Sequence, residues 1–231
     1  MKKLATILGL TAVLAIAATS AFAGAVRISQ VYSGGGGTGA ATYKQDYVEL
    51  FNSSGSPVNV GGWVIEYGSA TGTWGSAATN YAVIPAGTII QPCSYWMAGV
   101  GTVGTGGAAF PITPDFTVTA GPNMSSSNGK VALFNTLNAN TACGSELAGT
   151  LEDKIAWGTA TCAEGTATAA VSITLGIVRN NGGMTDTNNN SLDCTLVSNP
   201  TPRNSASPAN TACLATPTVN KTWGSLKSIY R

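Results

Sequence analysis

The sequence predicts an all-β sandwich, on three observations. Short apolar or alternating runs recur at intervals of about 10 to 20 residues. Clusters of Gly, Asn, Ser and Pro separate them. Beyond the first 23 residues, no long stretch keeps apolar positions at helical spacing. The first strand is expected at 26–32, where apolar and polar residues alternate as on a half-buried strand. Further strands are expected at 47–51, 63–67, 81–84, 95–98, 130–134, 153–157, 172–175 and 192–197. Turns are expected at 33–37, 53–57, 61–62, 128–129 and 180–183. Asn128-Gly129, directly before Lys130, predicts a type I′ hairpin turn.

Composition narrows the function. The 231 residues are 44% hydrophobic, enough for a real core, and 9% charged, too sparse for an acidic or basic disordered tail. A formal net charge of +1 leaves no electrostatic footprint for nucleic acid. With no histidine, every imidazole base and every His-containing metal site is excluded.

Residues 1–23 read as a secretory signal: Met1-Lys2-Lys3, an uncharged and mostly apolar run, then Ala21-Phe22-Ala23, with cleavage expected before Gly24. No second stretch approaches a membrane span. The mature chain is expected in the periplasm, at the surface or in the medium of a bacterium. Five cysteines, all after the leader, suit an oxidising compartment. Cys143 and Cys162 flank the strand expected at 153–157 and are natural partners. Cys194 and Cys213 are the next pair, leaving Cys93 over.

Several motifs in register carry a family resemblance. Arg27-Ile28-Ser29-Gln30-Val31-Tyr32 leads into Gly34 to Gly37, followed by Asp46-Tyr47-Val48-Glu49-Leu50-Phe51-Asn52. Val60-Gly61-Gly62-Trp63, Pro85-Ala86-Gly87, Gly129-Lys130-Val131-Ala132-Leu133, Asp186 to Asn190 and Pro202-Arg203-Asn204-Ser205 follow in order. Together they resemble a lamin-tail domain in its bacterial secreted form, over about Val26 to Pro208. The resemblance implies an immunoglobulin-like β-sandwich over 24–208, with 209–231 left as a C-terminal tail. In bacteria such domains accompany extracellular nucleases or phosphatases.

Little in the residues points to catalysis. Asp46 and Glu49 lie three apart on one strand and should face opposite ways, a poor acid–base pair. Glu49, between Val48 and Leu50, reads as a network residue. No serine has a histidine for a base, and no G-x-S-x-G or S-x-x-K sits at a strand-to-helix elbow. Gly34 to Gly37 lacks the Gly-Lys-Ser/Thr ending of a phosphate loop and reads as a flexible connection. Asp186, Asn188, Asn190 and Asp193 place oxygen donors at spacings that calcium could use; an Asx-turn loop explains the same residues. In the tail, Trp223, Leu226 and Tyr230 are spaced i, i+3, i+7 among Lys221, Lys227 and Arg231, which suggests a docking or sorting peptide, or a tail strapped to its own domain.

The expected function is therefore a secreted, non-enzymatic binding or structural module. It would act on a protein or cell-surface partner, or on copies of itself, and not on nucleic acid. The alternative is an accessory domain of an extracellular nuclease or phosphatase system.

Overall fold

The structure, a computed structural model, describes residues 24–214. The leader and the tail residues Trp223, Leu226 and Tyr230 lie outside the described residues. Twelve strands are present: β1 (Val26–Tyr32), β2 (Asp46–Asn52), β3 (Val58–Asn59), β4 (Val64–Gly68), β5 (Tyr81–Val83), β6 (Ile89–Ile90), β7 (Tyr95–Val100), β8 (Phe116–Val118), β9 (Gly129–Phe134), β10 (Leu151–Trp157), β11 (Leu175–Arg179) and β12 (Cys194–Ser198). Two single helical turns, α1 (Asn190–Asp193) and α2 (Thr211–Leu214), complete the elements used below.

The strands form a six-stranded sheet, β12-β11-β1-β2-β7-β8, a four-stranded sheet, β10-β9-β4-β5, and a two-stranded one, β3-β6. Pairing is antiparallel except between β7 and β8. Ile28, Val48, Leu50 and Ala98 from the first sheet and Ile65, Val131, Leu133 and Ile155 from the second belong to one buried cluster. That shared cluster makes the two sheets a sandwich.

At the central strands the sheets' outer faces are covered as well. All seven residues of β2 are buried. Val48 and Leu50 join the core, while Tyr47, Glu49 and Phe51, pointing the other way, are roofed by irregular chain. Tyr47 packs among Tyr32, Tyr43 and Phe110. Residues 199–214 run across this face as a strap. Tyr43 donates to Pro200 O (2.7 Å), Asn204 Nδ2 to Thr113 O (2.9 Å), the Ser205 hydroxyl to Asp115, and Asn210 N to Cys93 O (2.8 Å). On the opposite sheet, Lys130, Ala132 and Phe134 of β9 share an outer face with Glu66 of β4. A lid, residues 136–150, covers it, with Trp74 packed edge-on to Phe134.

Several expectations need correction. The strand expected at 172–175 begins at Leu175 and runs to Arg179, a charged residue that is fully buried. The strand expected at 192–197 starts at Cys194, because 190–193 coil into α1 first. Asn128-Gly129 is no hairpin turn: neither residue is among those with positive φ, and Gly129 already belongs to β9. Gly129 is small because the rings of Trp157 and Tyr67 lie where a Cβ would be, 2.7 and 2.9 Å away. The connection after Gly34 is also more packed than the flexible loop expected. Gly106 N donates to Gly37 O (3.0 Å) and Gly104 N to Lys44 O (2.7 Å). A Cβ on Gly104 would strike Gly37 O, and one on Gly106 would strike Gly39 O. The glycines let two loops lie backbone against backbone.

The disulfides are Cys143–Cys162, as expected, and Cys93–Cys213. The pairing of Cys194 with Cys213 does not form. Cys194 opens β12 and turns inward as a buried thiol. Cys93 sits at the corner before β7 with φ +53°, where it meets α2. The first six residues assigned to the tail, 209–214, thus include a helical turn bonded covalently to the sandwich.

Candidate functional site

Three polar constellations stand out. The first lies between β1, β10, β11 and the 185–193 loop, around Arg179. Its Nη2 donates to both oxygens of Asp153 (2.8 and 2.8 Å) and its Nε to Ile28 O (3.0 Å). Asp153 also accepts from Ile28 N (2.6 Å). Nη1 lies 3.6 Å from Asp186 and 3.8 Å from Asp193, and Arg27 Nε lies 3.1 Å from Asp186.

This cluster decides the calcium question. Asp186 is neutralised by two arginines. Asp193 accepts from Thr187 N and Oγ1 (2.8 and 2.7 Å) and Asn189 N (3.1 Å). Burial opposes its charge, but these donors and Arg179 hold its carboxyl below the ordinary range. Asn190 is buried against the edge of β10, accepting from Ala156 N (3.0 Å) and donating to Lys154 O (3.0 Å). Asn188 N bonds Asp186 Oδ1 (3.3 Å), the Asx-turn geometry. With arginines where a cation would sit, Asp186, Asn188, Asn190 and Asp193 do not fit calcium. Glu164, an acceptor for Asn190 Nδ2 (3.2 Å), is pushed up to about 8 by burial and by the nearby charge of Asp153.

The second constellation surrounds Glu49, completely buried under the strap. Its carboxylate accepts from Ser29 Oγ (2.6 Å), Gln30 Nε2 (3.1 Å), Arg203 N (2.6 Å), Arg203 Nη2 (2.7 Å) and Arg203 Nε (3.3 Å). Burial raises the carboxyl's pKa and Arg203 pulls it back. Glu49 is the network residue expected. Asp46, three residues earlier, faces the other way, bonding Gly35 N and Met124 N (both 2.8 Å). No acid–base pair forms.

The third feature is an open cleft of about 710 Å³ beside the strap. Asn181, Gly182 and Met184 form one wall, and Pro208 to Ala212 the other, with Tyr95 and Arg203 at its base. The Arg203 guanidinium stacks 3.7 Å from the Tyr95 ring, whose hydroxyl donates to Gly182 O (2.9 Å). Asn210 Nδ2 ties the walls together through Asn181 O (3.0 Å). The cleft is mostly apolar and holds neither a carboxylate nor a nucleophile with a base.

Sequence reasoning missed this cleft and the arginines that organise the molecule. Arg203 sat in the quoted Pro202-Arg203-Asn204-Ser205 motif, but its partner Glu49 lies 154 positions away. The one available signal was the pairing of an acid inside an apolar strand with an arginine in a charge-poor segment.

Comparison with known proteins agrees with this architecture. A family model described as Lamin Tail Domain matches residues 19–159. A search of curated proteins finds no match. Among solved structures, a DUF4876 family protein from Bacteroides thetaiotaomicron VPI-5482 is similar, with a TM-score of 0.53 and 12% sequence identity, covering 75% of this chain and 71% of that one. At that identity the likeness speaks for the fold alone. The family match stops before β11 and β12, which complete the six-stranded sheet, and before the strap that forms one wall of the cleft.

Proposed function

The chain belongs to the lamin tail domain family, and from this we propose that it is an exported, non-enzymatic binding module that takes its ligand in the cleft beside Tyr95 and Arg203. One observation carries the reading. Among the described residues, the ionisable side chains lining the cleft are already engaged, Arg203 by Glu49 and the Tyr95 hydroxyl by Gly182 O. Held in these bonds, they can shape and orient a ligand. Export is supported by the leader pattern and the two disulfides. Among the described residues, no helix is long and apolar enough to cross a membrane.

The test uses exported protein, whose N-terminus should read Gly24. Met184 lines the cleft, whereas Met97 and Met124 are buried elsewhere, so methionine methyl resonances report where a ligand sits. Peptides, oligosaccharides and nucleotides are titrated in turn. One class should move Met184 and leave Met97 and Met124 in place. The same protein should turn over no nuclease, phosphatase, peptidase or glycosidase substrate. Turnover abolished by filling the cleft with Ala212→Trp would overturn the reading.

A further inference from the structure

We propose that the Cys143–Cys162 disulfide is one state of a redox-gated metal site, in which the two reduced sulfurs and Glu146 hold a soft or borderline divalent cation such as zinc. The bond lies at the rim of the lid, with Cys143 exposed and Glu146 and Cys162 half-buried, so reductant and ion can reach it. The two sulfurs and a Glu146 oxygen lie within 4.8 Å of one another. Zinc–sulfur bonds of about 2.3 Å and zinc–oxygen bonds of about 2.0–2.2 Å make the sulfur–oxygen edge of a tetrahedral site about 3.6 Å. Cys162 Sγ and Glu146 Oε1 are already 3.7 Å apart. The cysteine Cα atoms are 5.7 Å apart, so two freed sulfurs can part to about 3.8 Å without moving the backbone.

Glu146 is oriented for this role. Its Oε1 accepts from Trp74 Nε1 (2.7 Å) and its Oε2 from Gly144 N (2.8 Å), the outer hydrogen bonds that keep a metal-binding carboxylate in place. Charge balances too. Two thiolates, one carboxylate and a divalent ion sum to one negative charge, and Lys154 Nζ, 4.0 Å from Cys162 Sγ, supplies the compensating positive one. Sulfur donors select zinc, cadmium or copper(I) over calcium or magnesium. In the reducing step a thiol reductant gives two electrons and two protons to the S–S bond and leaves as its own disulfide. Ion binding then releases the two thiol protons. The lid is fastened to the 158–165 loop in either state, by sulfur–sulfur bonding or through the ion.

The experiment compares the whole chain with Cys143→Ser/Cys162→Ser, both reduced by a phosphine and desalted under argon. Cys93, Cys194 and Cys213 are common to both, so their contribution cancels. Cadmium and then zinc are titrated, following the cadmium–thiolate absorption band and the bound mass by native mass spectrometry. Reduced wild type should take one more ion per chain than the double variant, and the oxidised protein should lack that ion. Glu146→Gln should bind at least ~10-fold more weakly. Equal ion counts in wild type and double variant would overturn the proposal, as would equal binding by the oxidised protein. Unchanged affinity in Glu146→Gln would remove the carboxylate and with it the site described.

Discussion

The two outer faces of the sandwich are each roofed by irregular chain and each pinned by a disulfide, yet they treat buried charge in opposite ways. Over the six-stranded sheet, the strap brings Arg203 to Glu49, which receives five hydrogen bonds. Over the four-stranded sheet, the lid buries Lys130 and Glu66 without joining them. Lys130 Nζ and Glu66 Oε2 have no hydrogen-bond partner among the described residues. Burial pushes the Glu66 carboxyl up and the Lys130 amine down, each toward its neutral form. A roof whose arginine is matched to a buried acid has one seating. A roof over unmatched charges depends on its covalent pin and on the apolar contacts of Trp74 and Phe134. The first roof shapes the cleft, and the second carries the exposed disulfide.

The largest separation between the faces should come from the pins themselves. In the chain-entropy model, Cys93–Cys213, spanning 120 residues, stabilises by about 5 kcal/mol, and Cys143–Cys162, spanning 19, by about 3 kcal/mol. Denaturant melts of Cys93→Ser/Cys213→Ser and Cys143→Ser/Cys162→Ser should therefore rank in that order. The reverse ranking would show that the lid, not the strap, is the more heavily constrained roof.

Next in size is the matched pair. Arg203→Ala strands a buried carboxylate and should cost about 3–5 kcal/mol. Replacing both partners, Glu49→Gln with Arg203→Met, should recover most of that loss, because no uncompensated charge remains. A double variant no more stable than Arg203→Ala would mean that the strap is held by its backbone bonds and stacking, not by charge matching.

A third test uses pH. Asp46 is buried where β2 meets the glycine loop, and burial pushes its carboxyl up to about 7, the Gly35 and Met124 amides only partly offsetting this. A carboxyl whose folded pKa exceeds its unfolded value binds its proton more tightly when folded. Its contribution therefore weakens stability as pH rises from about 4 to 7, by at most about 1.4 kcal/mol per pH unit. Glu164, pushed up to about 8, acts in the same sense and extends the window by about one unit. Asp46→Asn should flatten the slope below pH 7 in urea melts. An unchanged slope would place the titration in other groups.

The contrast between the roofs also explains what could be read from the sequence. Strands with apolar residues on the core-facing side, such as β2 and β9, were legible because strand periodicity is local. Their second buried face was not, since strap and lid are irregular chain without period. β11 lies later than the sequence suggests, because it ends on Arg179, a charged residue that is a buried hub bonded to Asp153 of β10. The short strands β3, β6 and β8, two or three residues each, fall below any periodic signal. Cys143 and Cys162, close in sequence around β10, are bonded. Closeness in sequence does not pair Cys194 with Cys213, because Cys194 faces the core and Cys93 arrives from 120 positions away. The calcium reading failed for a related reason. Donor spacing is visible in sequence, but the arginines that occupy the same space come from β1 and β11.

The smallest expected effect is at Lys130, and its smallness is the point. Removing a buried charge that has a partner is costly, since the partner is left uncompensated; removing one that has none leaves nothing behind. Lys130 retains one favourable contact, its ammonium 5.2 Å over the Trp74 ring. An interaction of that kind contributes about 0.5–2 kcal/mol, of the same order as the cost of desolvating the amine. Methionine keeps the length of the stem and fills the space against Gly68 and Trp74 with apolar atoms. Lys130→Met should therefore lie within about 1 kcal/mol of wild type, on the stabilising side, in the same melts in which Arg203→Ala loses several. If Lys130→Met instead costs as much as Arg203→Ala, Lys130 is a paired charge after all. Glu66→Gln would identify the partner. Asn138 N donates to Glu66 Oε1 at 2.6 Å, and the amide oxygen preserves that bond. A matching loss in Glu66→Gln, not additive with Lys130→Met, would mean that the two groups meet in solution and that the lid seats as tightly as the strap.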